Sequence, residues 1–178
     1  YLGDGPFNQL IIRGVTLING DGSPPRGPVD IVVENNIIKN IKSVGYPGVE
    51  IKDSRRPKLK NGGFELDANG MYLLPGFIDM HGHIGGSGQG ADYDYVFRLW
   101  MAHGITTIRE PGGRGIDWAL NLKKLSEENK IVAPRIFAYT SFGQTGKNFT
   151  PLNDAPISTP ELARIWVRAN AKKGADGI

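Results

Sequence analysis

Two histidines, His81 and His83, flank Gly82 at the end of a nearly continuous apolar run from Met71 to Met80. If that run is a strand, side chains two apart share a face, and the two imidazoles stand about 6.6 Å apart along the backbone. Both can then reach one ion, and neutral imidazole suits zinc and similar divalent metals. Gly82 adds no side chain to crowd the turn, and the following stretch, Ile84-Gly85-Gly86-Ser87-Gly88, reads as a glycine-rich loop. A bare His-x-His is a weak signal. Its position strengthens it, because parallel barrels keep their chemistry at the C-terminal ends of strands.

Other residues could join the pair. Asp79 shares the inward face by the same spacing, as a partner orienting a ligand or, the preferred reading, as a buried structural carboxylate. Arg109, Glu110 and Tyr139 fall at the ends of later strands and are the candidates for substrate contact, with an ion pair as the alternative for the first two. Ser141, Gln144, Thr145 and Lys147 are further pocket candidates. Pro111-Gly112-Gly113-Arg114-Gly115 could offer backbone N–H groups to an anion, although a plain connector is the default for such a loop. His103 sits where a helix should end and reads as a C-terminal cap rather than a ligand.

The elements that must position these residues change character along the chain. From Gln9 to Ile18, from Val29 to Glu34, from Ile37 to Lys42 and from Phe64 to Asp67 the sequence predicts short strands, with a tight hairpin at Asn35-Asn36 and a polar excursion from Gly45 to Gly63. Residues 1–72 are expected to form a small β-sandwich module. After Met71 the apolar run predicts a strand buried on both faces. Helices are expected over Tyr93–Ala102 and Ile116–Asn129, and strands over Ile105–Arg109 and Arg135–Thr140. A third helix opens on a capping box, Ser158-Thr159-Pro160-Glu161, carries the stripe Leu162, Ile165, Trp166 and Ala169, and closes at Lys172-Lys173-Gly174. Ala175–Ile178 reads as a fourth strand beginning. Alternation at intervals of about 30 residues is the rhythm of βα units on a parallel sheet. Residues 73–178 are therefore expected to be the first half of a (β/α)8 barrel, which needs eight of each element.

Bulk properties exclude several classes. The 178 residues are 39% hydrophobic and 22% charged, ordinary globular composition. A net charge of +3 is too small to imply nucleic acid, and the basic run Lys52–Lys60 lacks the interleaved aromatics that stack bases. It reads as a solvated loop. The chain has no cysteine, so disulfides, thiolate metal sites and cysteine nucleophiles are out. No stretch approaches the roughly 18 apolar residues of a membrane span. The chain opens at Tyr1, so the natural start is expected upstream, and the compartment, cytoplasmic or exported, stays open.

Leu74-Pro75-Gly76-Phe77-Ile78-Asp79-Met80-His81-Gly82-His83 resembles the first-strand motif of the amidohydrolase superfamily. Gly104–Arg109 is similar to that family's second strand and Gly174–Ile178 to the approach to its fourth, and the prolidase-like and imidazolonepropionase-like members look closest. The resemblance implies an α/β fold with a (β/α)8 TIM-like barrel beside a small N-terminal β-sandwich. It also implies that His81 and His83 bind a metal, with zinc and a pair of ions expected. A lysine on strand four, often carbamylated, would bridge the two ions; it is expected just past Ile178, where a modified residue would explain the break. Two later histidines and a strand-eight aspartate, the proton shuttle, would complete the binuclear centre, so the catalytic residues are expected beyond Ile178. The loop Gly143-Gln144-Thr145-Gly146-Lys147 departs from the histidine-containing glycine motif of many relatives, which leaves the substrate open.

The function so implied is metal-dependent hydrolysis of a C–N bond in a small-molecule amide, dipeptide or cyclic amide, by a metal-activated water. The alternatives are a mononuclear deaminase, a phosphotriester or lactone hydrolase on the same scaffold, and a non-catalytic scaffold relative. No nucleic-acid or membrane partner is expected, and a homo-oligomer stays open.

Overall fold

A computed structural model describes residues 4–85, 90–140 and 157–178. The fold is mixed α/β and divides into two compact units, Asp4–Pro75 and Gly76–Ile178.

In the first unit β1 (Gln9–Leu17), β2 (Arg26–Glu34), β3 (Ile37–Ser43), β4 (Phe64–Asp67) and β5 (Tyr72–Leu73) form one five-stranded sheet ordered β3-β2-β1-β4, with β5 also paired to β1. β1 runs antiparallel to β2 and parallel to β4 and β5. Asn35 and Asn36 both take left-handed φ, 49° and 64°, which is what a two-residue turn matched to strand twist demands. Val15, Leu17, Val29, Ile31 and Ala68 pack the core of this unit. The β1–β2 register slips between Ile12 and Val15, at Gly14 with φ 74°, and that bulge turns the Gly14 N–H onto the buried Asp30 carboxylate at 2.9 Å. Where a sandwich is expected, the described residues of this unit contain a single sheet. At the turn after β1, hydrogen bonds from Ser23 and then Asn19 pull the Asp21 carboxyl down to about 2.

The second unit carries β6 (Phe77–Asp79), α1 (Tyr93–Ala102), β7 (Ile105–Glu110), α2 (Ile116–Glu127), β8 (Arg135–Ala138) and α3 (Pro160–Lys173). The strands form a parallel sheet in the order β6-β7-β8, and a single parallel bridge from Tyr139 to Gly177 follows α3. Ile84, Phe97, Ile108, Leu122 and Ile136 make the core between sheet and helices.

Two expectations change here. The apolar run Met71–Met80 is not one strand buried on both faces. It splits at Leu74-Pro75-Gly76, giving its first residues to β5 and its last to β6. Proline has no N–H for a ladder, so a break there is physically natural. β6 is also an edge strand among the described residues, and Phe77, Ile78 and Met80 are 60, 63 and 62% exposed. The start of α3 is the second change. The cap is Thr159, whose side chain accepts the Leu162 N–H at 3.2 Å, with Pro160 at the first position; Glu161 pairs with Arg164 instead of reaching back. Gly174, at φ 104°, ends the helix as its sequence position predicts. The buried face of α3 centres on Trp166 and Asn170, while Ile165 of the expected stripe is exposed.

Candidate metal centre at the end of the first parallel strand

β6 ends at Asp79, and the chain turns at once. The Asp79 Oδ1 accepts the His81 N–H at 2.9 Å, an Asx-type turn that fixes the backbone entering the histidine pair. Asp79 thus has a local structural role. The Gly82 N–H donates to the Arg109 carbonyl at 3.1 Å, which ties the pair to the end of β7. Gly82 is buried under Trp100, and a Cβ there would lie 3.1 Å from the indole. The missing side chain therefore serves the helix as well as the turn.

His81 and His83 come together at this end. Their ring centroids are 5.1 Å apart with the planes at 83°. That arrangement suits two imidazole nitrogens meeting one ion at about 2.0–2.1 Å. Among the described residues no group of three or more histidine, aspartate or glutamate side chains is gathered to hold a metal.

Under the pair lies Glu110, the last residue of β7 and only 1% exposed. Its Oε2 accepts the Ile84 N–H at 2.7 Å, and its Oε1 accepts the N–H groups of Gly112 and Gly113 at 2.9 and 2.8 Å. His83 Nδ1 stands 3.3 Å from the same Oε1. Glu110 is expected from sequence to meet substrate. Its oxygens instead face the protein's own donors. The glycine loop 111–115, for which a plain connector is the default reading, does present amides to an acceptor: Gly112 and Gly113 donate to this carboxyl group. Sequence reasoning missed that link, as well as the packing of Gly113, whose Cβ would sit 3.0 Å from His83 Nδ1.

Arg109 and Tyr139 are also brought together. The Arg109 guanidinium lies 4.4 Å over the Tyr139 ring centroid, and its Nη1 donates to the Met80 carbonyl at 3.0 Å. One side chain so joins the ends of the first and third parallel strands from the second. His103 caps α1 as expected, with its Nδ1 2.8 Å from the Leu99 carbonyl oxygen. Ser141, Gln144, Thr145 and Lys147 lie outside the described residues.

No family model matches the chain. Among curated proteins it is 36% identical over 76 residues to a dihydroorotase of Thermoanaerobacter sp. (strain X514), covering 43% of this chain and 14% of that one. It is 32% identical over 105 residues to an N-acetylglucosamine-6-phosphate deacetylase of Lysinibacillus sphaericus, covering 58% of this chain and 22% of the relative. Of solved structures, a Xaa-Pro dipeptidase with bound methionine superposes with a TM-score of 0.70 at 25% identity, over 96% of this chain and 46% of that one. The chain thus spans less than half of that structure and under a quarter of these curated relatives. Together with the strand-end histidine pair and the parallel βα units, these relatives indicate the amidohydrolase superfamily.

Proposed function

We propose that residues 76–178 are the first half of a (β/α)8 barrel, and that the protein is a metal-dependent amidohydrolase cleaving a C–N bond in a small amide, dipeptide or cyclic amide. The observation that carries this reading is the meeting of His81 and His83, 5.1 Å apart, at the C-terminal end of the first parallel strand. The likeness to the dipeptidase favours the prolidase-like branch. The sheet of residues 4–75 would form one layer of the β-sandwich that the resemblance implies.

His81 and His83 would hold the more buried of two divalent ions, zinc being the expected metal, with a carbamylated strand-four lysine as the bridging ligand. When bound, such ions lower the pKa of water toward neutrality and polarise a carbonyl. The chain's own residues bind and orient. Arg109 carries a fixed positive charge, steadied by the Met80 carbonyl and by Tyr139, at the face where a substrate carboxylate or carbonyl would arrive.

His81→Ala and His83→Ala test the reading. Each is expected to abolish zinc uptake, measured by metal analysis after dialysis, and turnover of a panel of Xaa-Pro dipeptides, N-acyl amino acids and cyclic imides. Near-normal turnover in either variant refutes the assignment.

A further inference from the structure

Glu110 has a chemistry that neither the family nor its sequence position specifies. A carboxylate that is 1% exposed is costly to bury unless every lone pair is answered. Among the described residues its partners are N–H groups: the amides of Ile84, Gly112 and Gly113, and the imidazole of His83. The three amide donors come from the loop after β6 and the loop after β7, so one side chain sews two strand-end loops together. Because the carboxylate serves as acceptor throughout, the ring nitrogen facing it must be the one that carries the proton. That leaves Nε2 of His83 with its lone pair free. Gly113 completes the fit, since its bare Cα is what lets the ring lie against Oε1: a Cβ there would come 3.0 Å from Nδ1 and 3.5 Å from Oε1.

We infer that Glu110 is a positioning residue that locks His83 in its Nδ1–H tautomer and turns Nε2 toward the space shared with His81. This role rests on the metal-site reading above and assigns Glu110 to the ligand rather than to the substrate. A ligating imidazole commonly donates its second nitrogen in this way, and loss of such a partner typically weakens metal binding by about 10–100-fold.

The test reads the tautomer without metal. Long-range 1H–15N imidazole spectra of the metal-free, full-length protein at about pH 8, where imidazole is neutral, distinguish a protonated nitrogen from a bare one. His83, assigned by its loss in His83→Gln, is expected to be protonated on Nδ1. In Glu110→Gln the amide NH2 must face one set of donors, and His83 is expected to move toward the Nε2–H form. His103, whose Nδ1 faces the Leu99 carbonyl oxygen, should not change and serves as the internal reference. A wild-type His83 protonated on Nε2, or a spectrum unaltered by Glu110→Gln, overturns the inference.

If Glu110→Gln does not fold, Gly113→Ala carries the test. It keeps the carboxylate and its amide partners while pushing on Nδ1, and the same change at His83 is expected; no change overturns the inference. Zinc titration supplies a second readout, with affinity 10–100-fold weaker in the folded variant and equal affinity contradicting the role. Failure of the wild-type protein to bind zinc would defeat the metal-site reading instead, and the metal-free spectra separate that failure from this one.

Discussion

Asp30 has no exposed surface, yet its carboxyl group is fully partnered. Arg13 Nη1 lies 3.0 Å away, Arg56 Nε 3.6 Å away, and the Gly14 N–H completes the set. Breaking such a buried cluster by removing the carboxylate leaves two cations and an amide unanswered. Asp30→Ala should therefore destabilise the protein by about 3 kcal/mol, the low end for a buried pair because both arginines keep some solvent. A urea unfolding midpoint unchanged from wild type would contradict this. At this scale the sequence reveals chemistry that is local and hides chemistry that is not. His81 and His83 are two residues apart, so their meeting is local, although it is made in the turn after β6 and not by strand period. Asp30 is an unremarked strand residue because its first cation lies 17 residues away. Glu110 is legible as charged and strand-terminal, but its link to Ile84 spans 26 residues, and no periodicity reports it.

Among the elements, the helices read most faithfully. Thr159, Pro160 and Gly174 announce both ends of α3, because caps are built from neighbours in sequence. The first parallel strand is harder. Its apolar run has the composition of a doubly buried strand, but β6 is only Phe77–Asp79, and composition cannot say which neighbour supplies the second edge. Gly76 explains why the strand begins where it does. A Cβ there would fall 2.0 Å from the Thr106 Oγ1 and 2.8 Å from its Cβ, so the strands approach too closely for any side chain. Gly76→Ala is expected to cost about 1–3 kcal/mol by overpacking, read as a lowered midpoint in denaturant unfolding. Thr106→Ala in the same protein should recover part of that loss. An unperturbed single variant would mean that the close approach does not matter.

For the molecule as a whole, the division into Asp4–Pro75 and Gly76–Ile178 leaves each unit with its own hydrophobic core. The second unit also presents Phe77, Ile78 and Met80 on an unpaired parallel edge among the described residues. Such an edge is a template for pairing with another chain. Residues 1–178 expressed alone should self-associate in sedimentation velocity, and Ile78→Lys should shift the distribution toward monomer. A monomeric wild-type species at concentrations of about 100 μM would count against it, given that strand edges associate readily at micromolar to millimolar levels. The alternation of βα units is plain in the sequence.

The contact between Gly82 and Trp100 has an optical consequence. An indole packed within van der Waals reach of the backbone linking two imidazoles sits inside the quenching range of any open-shell cation they capture. The fluorescence of Trp100 would then dim with cobalt or copper and stay bright with zinc. The fold thus places a fluorophore beside the His81–His83 pair, where capture of such a cation would be read without a label.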